Sequence, residues 1–164
     1  MKNKGRMHFF AGKMAAGKST LSKELATEEN TILISEDVWL EHLFKDEIKT
    51  FQDYILYSSR LKPLIKEHVI SLLDNETSVV LDFPANTKKQ RAWFLEIINL
   101  GYSHQLHYID ASDELCLKQL ALRSDGIEGS AFTTEEMFHE VTSYFEPPSK
   151  DEQFDIKVYK RENA

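Results

Sequence analysis

Cys116 is the single cysteine among 164 residues, which excludes an internal disulfide and a cysteine-built metal site. It reads as a small buried side chain. No apolar run approaches the roughly 20 residues that span a bilayer. Behind the basic start Met1–Arg6, the apolar stretch is too short and too soon interrupted for a signal peptide. No membrane partner is therefore expected, and the cytoplasm is the expected compartment. Positive charge is in deficit, with 20 Lys and Arg against 27 Asp and Glu and a net charge of −7. That balance disfavours nucleic acid as a partner, because its binding usually needs a broad basic surface. Repeats and low-complexity tracts are missing, and the six histidines show no metal-ligand spacing. One globular domain, 1–164, is expected.

What is present begins with Gly12-Lys13-Met14-Ala15-Ala16-Gly17-Lys18-Ser19, which fits the Walker A pattern G-x-x-x-x-G-K-[ST] of a phosphate-binding P-loop. The glycines permit backbone angles that turn successive N–H groups around phosphate oxygens. Lys18 supplies charge beside the β- and γ-phosphates, and the Ser19 hydroxyl suits Mg²⁺. Gly12 to Thr20 are thus the expected nucleotide-binding residues. The apolar run Met7–Ala11 reads as the preceding strand, and a helix from Ser19 to about Glu28 aims its positive dipole end at the anion.

Further strands are expected at 31–34, 78–82, 105–110 and 154–159, alternating with helices at 38–44, 51–73, 87–100, 113–123 and 133–145. Pro63 should kink or restart the third of these helices. Thr87-x-x-Gln90 has the form of a capping box, and Asn86 and Thr87 read as capping residues. The pattern predicts an α/β P-loop fold, a mostly parallel sheet of about five strands with helices on both faces. Ligands in such folds sit beyond the carboxyl ends of strands. That rule selects the P-loop, Asp37 and Asp82.

Absences narrow the reaction. There is no Asn-Lys-x-Asp of the kind that reads guanine, and Asp82 is followed by Phe83, not by the water-positioning glutamate of a hydrolytic motor. What remains suits phosphoryl transfer from Mg-ATP to a hydroxyl of a small-molecule acceptor. Asp82 would bind Mg²⁺ or hold Ser19; it also suits a turn that closes a strand. Asp37 would face the γ-phosphate as base or orienter; it also suits a helix start. Glu36 is expected to be solvated, as are Asp125, Glu128, Glu135, Glu136 and Glu140. Arg60, at the border of an apolar helix stripe, is a candidate acceptor contact or a snorkelling side chain. Arg123, next to the Gly- and Ser-containing segment near 123–133, is a candidate lid arginine or a helix C-terminal cation.

Four segments together resemble the small bacterial P-loop ATP-binding proteins grouped with zeta toxins, chloramphenicol phosphotransferase and the kinase domain of polynucleotide kinases. They are Gly12–Thr20, Ile34-Ser35-Glu36-Asp37, Val79-Val80-Leu81-Asp82-Phe83-Pro84-Ala85-Asn86 and Phe145-Glu146-Pro147-Pro148. The resemblance implies a nucleoside-kinase-like core using Mg-ATP, with Asp37 at the position of the base and Arg123 at that of a lid arginine. It names no acceptor. The competing expectations are a nucleotide-sensing or weakly hydrolysing regulator and, against the charge balance, a polynucleotide 5′-kinase.

Overall fold

The computed structural model describes residues 4–124 and 135–162. Its spine is β1 (Arg6–Gly12), in which Met7, Phe9, Phe10 and Ala11 are all buried. Such a continuous apolar run, without alternation, belongs to a strand covered on both faces. β2 (Thr31–Ser35), β3 (Ser78–Asp82), β4 (Ser103–Ala111) and β5 (Ile156–Arg161) complete one sheet in the order β2-β3-β1-β4-β5. Every pairing is parallel. The chain passes from β1 to the edge strand β2, returns to β3, and then crosses β1 to β4 and β5. The connections after β1 and after β3 thus run to opposite sides, and the loop after β1 stands beside the topological switch point.

Among the described residues six α-helices flank the sheet: α1 (Lys18–Leu25), α2 (Glu36–Phe44), α3 (Phe51–Asp74), α4 (Lys88–Ile98), α5 (Asp113–Ser124) and α6 (Glu135–Thr142). On one face, Leu61, Ile65, Val69 and Leu73 of α3 recur every fourth residue and pack with Phe94 and Ile97 of α4. Phe9 stacks on Phe94 with ring centroids 4.3 Å apart. On the other face Phe10 meets Leu21 of α1, Leu115, Cys116 and Leu120 of α5, and Phe138 of α6. The expected fold is the observed one.

Several local expectations are corrected. α3 runs unbroken through Pro63. Pro63 is on the exposed side, as is Ser59, whose carbonyl loses its helical partner to the ring, while Leu61 and Ile65 remain in the core. The α3 start is held by a reciprocal Thr50–Asp53 capping box. α1 ends at Leu25, short of Glu28. The last strand lies two residues later than the alternation suggested, because Phe154 packs edge-on against Phe9 before β5 begins. That shift brings Arg161 to the carboxyl end of the sheet, opposite Ala111.

Candidate functional site

The P-loop folds as a turn whose shape is set internally. Gly12 lies so close to β4 that a β-carbon there would come within 3.1 Å of the Ile109 carbonyl oxygen. Ala15 and Gly17 both take positive φ, 61° and 110°. For Ala15 that backbone is strained, a cost that ordinarily persists at functional loops. Ala16 N–H closes the turn on the Lys13 carbonyl at 3.1 Å. Lys18, at the first position of α1, reaches back so that its Nζ donates to the Gly12 carbonyl and, at 3.3 Å, to that of Lys13. Burial lowers its pKa to about 8, with the charge of Arg123 acting in the same direction and Asp82 opposing. A desolvated ammonium ringed by carbonyls is completed by an anion such as a phosphate. Ser19 and Thr20 are exposed at the start of α1, open to that same space.

Neighbouring strand ends bring the predicted carboxylates to this loop. Asp82 ends β3, and Ser35, which ends β2 in register with it, donates its hydroxyl to Asp82 Oδ2 at 3.5 Å. Partial burial raises the Asp82 pKa, with Lys18 pulling the other way. Asp37 follows in the first turn of α2 and lines a cavity of about 350 Å³ with Leu40, Phe44, Ile48 and Tyr54. Desolvation there, then the charges of Glu36 and Asp82, push its carboxyl above the usual range. Solvent still reaches Asp37, which leaves the two like charges as the durable cause. Lys18, Asp82 and Asp37 are therefore linked through their fields across three adjacent strands.

Glu36 is not solvated. It is 1% exposed and accepts hydrogen bonds from the Tyr54 hydroxyl and, at 3.0 Å, from Ser58 Oγ. Its place at the start of α2 faces it into the α2–α3 seam, where those two hydroxyls replace water. Burial and the Glu36 charge push the Tyr54 hydroxyl pKa far up, so Tyr54 stays a donor.

Asn86, expected as a cap, instead ties the site together. Its Oδ1 accepts from Gly12 N–H at 3.0 Å, its N–H donates to Gln90 Oε1 at 2.8 Å, and its carbonyl accepts from Glu146 N–H at 2.8 Å. Thr87 does cap α4, accepting from Gln90 N–H at 3.1 Å, but the return half of the box goes to Asn86. Arg91, fully buried, holds the same segment by donating to the Ala85 carbonyl and, at 2.8 and 3.1 Å, to the two carboxylate oxygens of Glu152. Its burial was invisible in a helix pattern that places arginine on the surface by default.

The opposite flank is cationic. Lys13 pairs with Asp113 at 2.6 Å and pins the P-loop to the start of α5. Arg123 is exposed in the last turn of α5, and its charge reaches Lys18. Most of the expected lid near 123–133 lies outside the described residues. Arg161 is a residue that sequence reasoning missed. A β-carbon on Gly17 would lie 2.9 Å from Arg161 Nη1, and no hydrogen bond or ion pair engages that guanidinium among the described residues. Had the last strand been extended to Arg161, the strand-end rule would have found it. Arg60 lies elsewhere: exposed on α3, its guanidinium is 5.5 Å from the Tyr57 ring, which stacks on Phe44. Among the described residues no group of His, Cys, Asp and Glu forms a metal cluster.

A model of the AAA domain family matches residues 7–148, from β1 through the Phe145–Pro148 segment. The chain belongs to that family. It has a kinase-like fold of the ATP-binding P-loop superfamily, and solved structures agree. It superposes on the Mycobacterium tuberculosis APS kinase CysC, solved with AMPPNP and APS, with TM-score 0.62 at 16% identity, covering 99% of this chain and 92% of that one. A sugar kinase from Janibacter sp. HTCC2649 gives 0.60 at 16% identity, over 95% and 85%. A chain of the Pnkp1/Rnl/Hen1 RNA repair complex gives 0.69 at 19% identity, over 96% of this chain but 48% of that one. At these identities the likeness is one of fold. None of the curated proteins compared matches significantly in sequence. Among the described residues no helix is long and apolar enough to cross a membrane.

Proposed function

We propose that this chain is an ATP-dependent kinase that phosphorylates a hydroxyl group of a small molecule. The observation that carries the reading is the convergence of Lys18, Asp82 and Asp37 at the ends of three adjacent parallel strands, on one strained loop. Gly12 to Thr20 hold the triphosphate of ATP through backbone N–H groups and the Lys18 ammonium. Ser19 and Asp82 fit a hard cation such as Mg²⁺, which when bound neutralises phosphate charge. Asp37 takes the proton of the acceptor hydroxyl. The acceptor oxygen then bonds to the γ-phosphorus as the bond to the β,γ-bridging oxygen breaks and ADP leaves. A carboxylate whose pKa lies above the usual range is the better base for that step. Arg123 is assigned to the charge that spreads over the transferring group, and the segment after it to a lid over the nucleotide.

Arg60, next to the Tyr57–Phe44 stack and so near the Asp37 cavity, is retained as a candidate acceptor contact. Arg60→Lys keeps the charge and weakens stacking, and a changed acceptor KM supports the contact. The overall reading is tested by measuring ADP release from Mg-ATP alone and with pooled small-molecule alcohols. A kinase stays nearly idle until an acceptor is added. Turnover indifferent to every acceptor leaves a weakly hydrolysing nucleotide sensor. The net charge of −7 weighs against a polynucleotide acceptor.

A further inference from the structure

A second, larger cavity of about 770 Å³ opens beside the P-loop, between Met14, Asn86 and α6. It is of the size that accommodates a small organic molecule. We propose that it binds the acceptor, and that the acceptor is an uncharged, ring-bearing alcohol, not a sugar or a phosphorylated or sulfated metabolite. The proposal rests on the kinase reading for the fate of the hydroxyl.

The walls argue for this chemistry. Met14 in the P-loop, Phe51 at the start of α3, Met137 and Val141 of α6, and Tyr144 and Phe145 behind it make an apolar lining. Phe51 and Tyr144 are 74% and 71% exposed. Rings left this open at a cavity mouth offer stacking surface to a ligand. A phosphate or sulfate requires a cation, and the one cation in the lining among the described residues is Lys13, whose Nζ is engaged by Asp113 at 2.6 Å. Glu140 adds negative charge to the same wall. A sugar requires a hydrogen-bond partner for nearly every hydroxyl, and this wall has few to offer. Thr87 is spent on capping α4. The oxygens of Asn86 and Gln90 each accept from a backbone N–H, which orients both amides and leaves their NH₂ groups as the donors of this wall. Thr142 Oγ1 is buried without a hydrogen-bond partner among the described residues. Two amide donors and one orphaned hydroxyl match one or two neutral polar functions on an otherwise apolar body. Met14 lies in the P-loop itself, and the Phe51 ring stacks at 6.0 Å on Tyr54, which lines the Asp37 cavity, so an alcohol at that end of the ligand abuts the phosphates on the side of Asp37.

The test uses the full chain with Mg-ATP labelled at the γ-phosphate and three probe acceptors: 3-phenylpropane-1,2-diol, glucose and adenosine 5′-monophosphate. In parallel, the neutral dye N-phenyl-1-naphthylamine reports cavity occupancy by fluorescence without any reaction. The expected result is transfer to the phenylpropanediol with kcat/KM at least about tenfold above the other two probes, together with displacement of the dye by the diol. Phe51→Ala and Val141→Asp should each weaken dye and diol binding by about tenfold, while their melting temperatures stay near the parent's because neither side chain is buried, Phe51 being 74% and Val141 43% exposed. Preference for glucose or the nucleotide overturns the acceptor class and leaves the kinase reading standing. Dye bound and displaced by the diol, with no transfer to any probe or to the pooled alcohols, supports the cavity's ligand class and sinks the kinase reading; transfer to the pool but not to the diol overturns the acceptor class. A dye that does not bind, or binds equally to both variants, overturns the cavity assignment.

Discussion

The two flanks of the P-loop are made of opposite materials. Towards β4 and β5 stand Lys13, Arg123 and Arg161, whose guanidinium has no partner among the described residues. Towards β3 and β2 stand Asp82, Asp37 and the buried Glu36, beside a cavity where Asp37, Glu41 and Lys45 share the walls with Leu40, Phe44, Ile48 and Tyr54. Lys18 sits between them and feels both, with Asp82 favouring its charge and Arg123 opposing it. A polyanion would be welcomed on one side and repelled on the other. On the kinase reading proposed above, the division separates the donor of a phosphoryl group from its acceptor before either is bound: the triphosphate would lie with the cations, and a neutral alcohol with the carboxylates assigned to its proton.

The largest expected effect breaks the division at its centre. Lys18→Ala should weaken Mg-ATP binding by about 2–4 kcal/mol, since it removes a desolvated charge-assisted contact; isothermal titration against the parent reads it directly. Unchanged affinity would end the P-loop assignment. On the carboxylate flank, Asp37→Asn should lower kcat by roughly a hundredfold to ten-thousandfold with ATP affinity within a few-fold, because the lost group acts on the acceptor proton. Normal turnover would return Asp37 to a helix-start carboxylate.

The cationic flank is tested by comparing its two arginines. Arg123→Ala should cut turnover by about a hundredfold or more, if its charge meets the transferring group in the transition state. Arg161→Ala should act mainly on ATP affinity, by about tenfold, as expected of a charge facing the loop and not the moving phosphorus. Equal effects of the two on kcat and KM would erase the distinction.

Two smaller effects depend on pH. With the Lys18 pKa lowered to about 8, nucleotide binding at pH 8 should draw a proton onto Lys18. The measured binding enthalpy should then vary with the ionisation enthalpy of the buffer in the sense of proton uptake, and Lys18→Ala should abolish that variation. The second effect concerns the β4–β5 half. There His8, His107 and Tyr159 form a chain across three strands, with both links 2.9 Å. Burial, then the neighbouring His8, Lys157 and Arg6, lowers the His107 pKa from 6.5 to about 4. Between those values the unfolded chain binds the extra proton, so stability falls as pH drops from about 6.5 to 4, by roughly 3 kcal/mol at the limit. His107→Gln should flatten that part of a denaturation-versus-pH curve, and an unaltered slope would place the acid sensitivity elsewhere.

Much of this was legible in the chain as written. Gly12 to Ser19 lie close in sequence, so their spacing alone implies the loop, the strand before it and the helix after it. The parallel α/β sheet followed from strands alternating with helices, since each crossover must bury both faces of the sheet. The places of Asp37 and Asp82 beside the loop were legible because a strand end is a local feature and the strand-end rule converts it into a position. Contacts between distant positions were another matter. Glu36 reads as one more acidic residue at a helix start until α3 folds over it with Tyr54 and Ser58. Asn86 reads as a cap until β1 and α4 meet and Gly12 offers it a backbone N–H. Arg161 looks like surface charge until the last strand's register, decided by Phe154 packing on Phe9, brings it over Gly17. Nor does any periodicity announce the cavity between Met14, Phe51 and α6, three segments separated by most of the chain. Local pattern determined the elements and the phosphate loop, because both depend on residues a few positions apart. Only the tertiary structure decided which charges are buried, which are paired and which are left free, because each of those depends on what long-range packing places beside the residue.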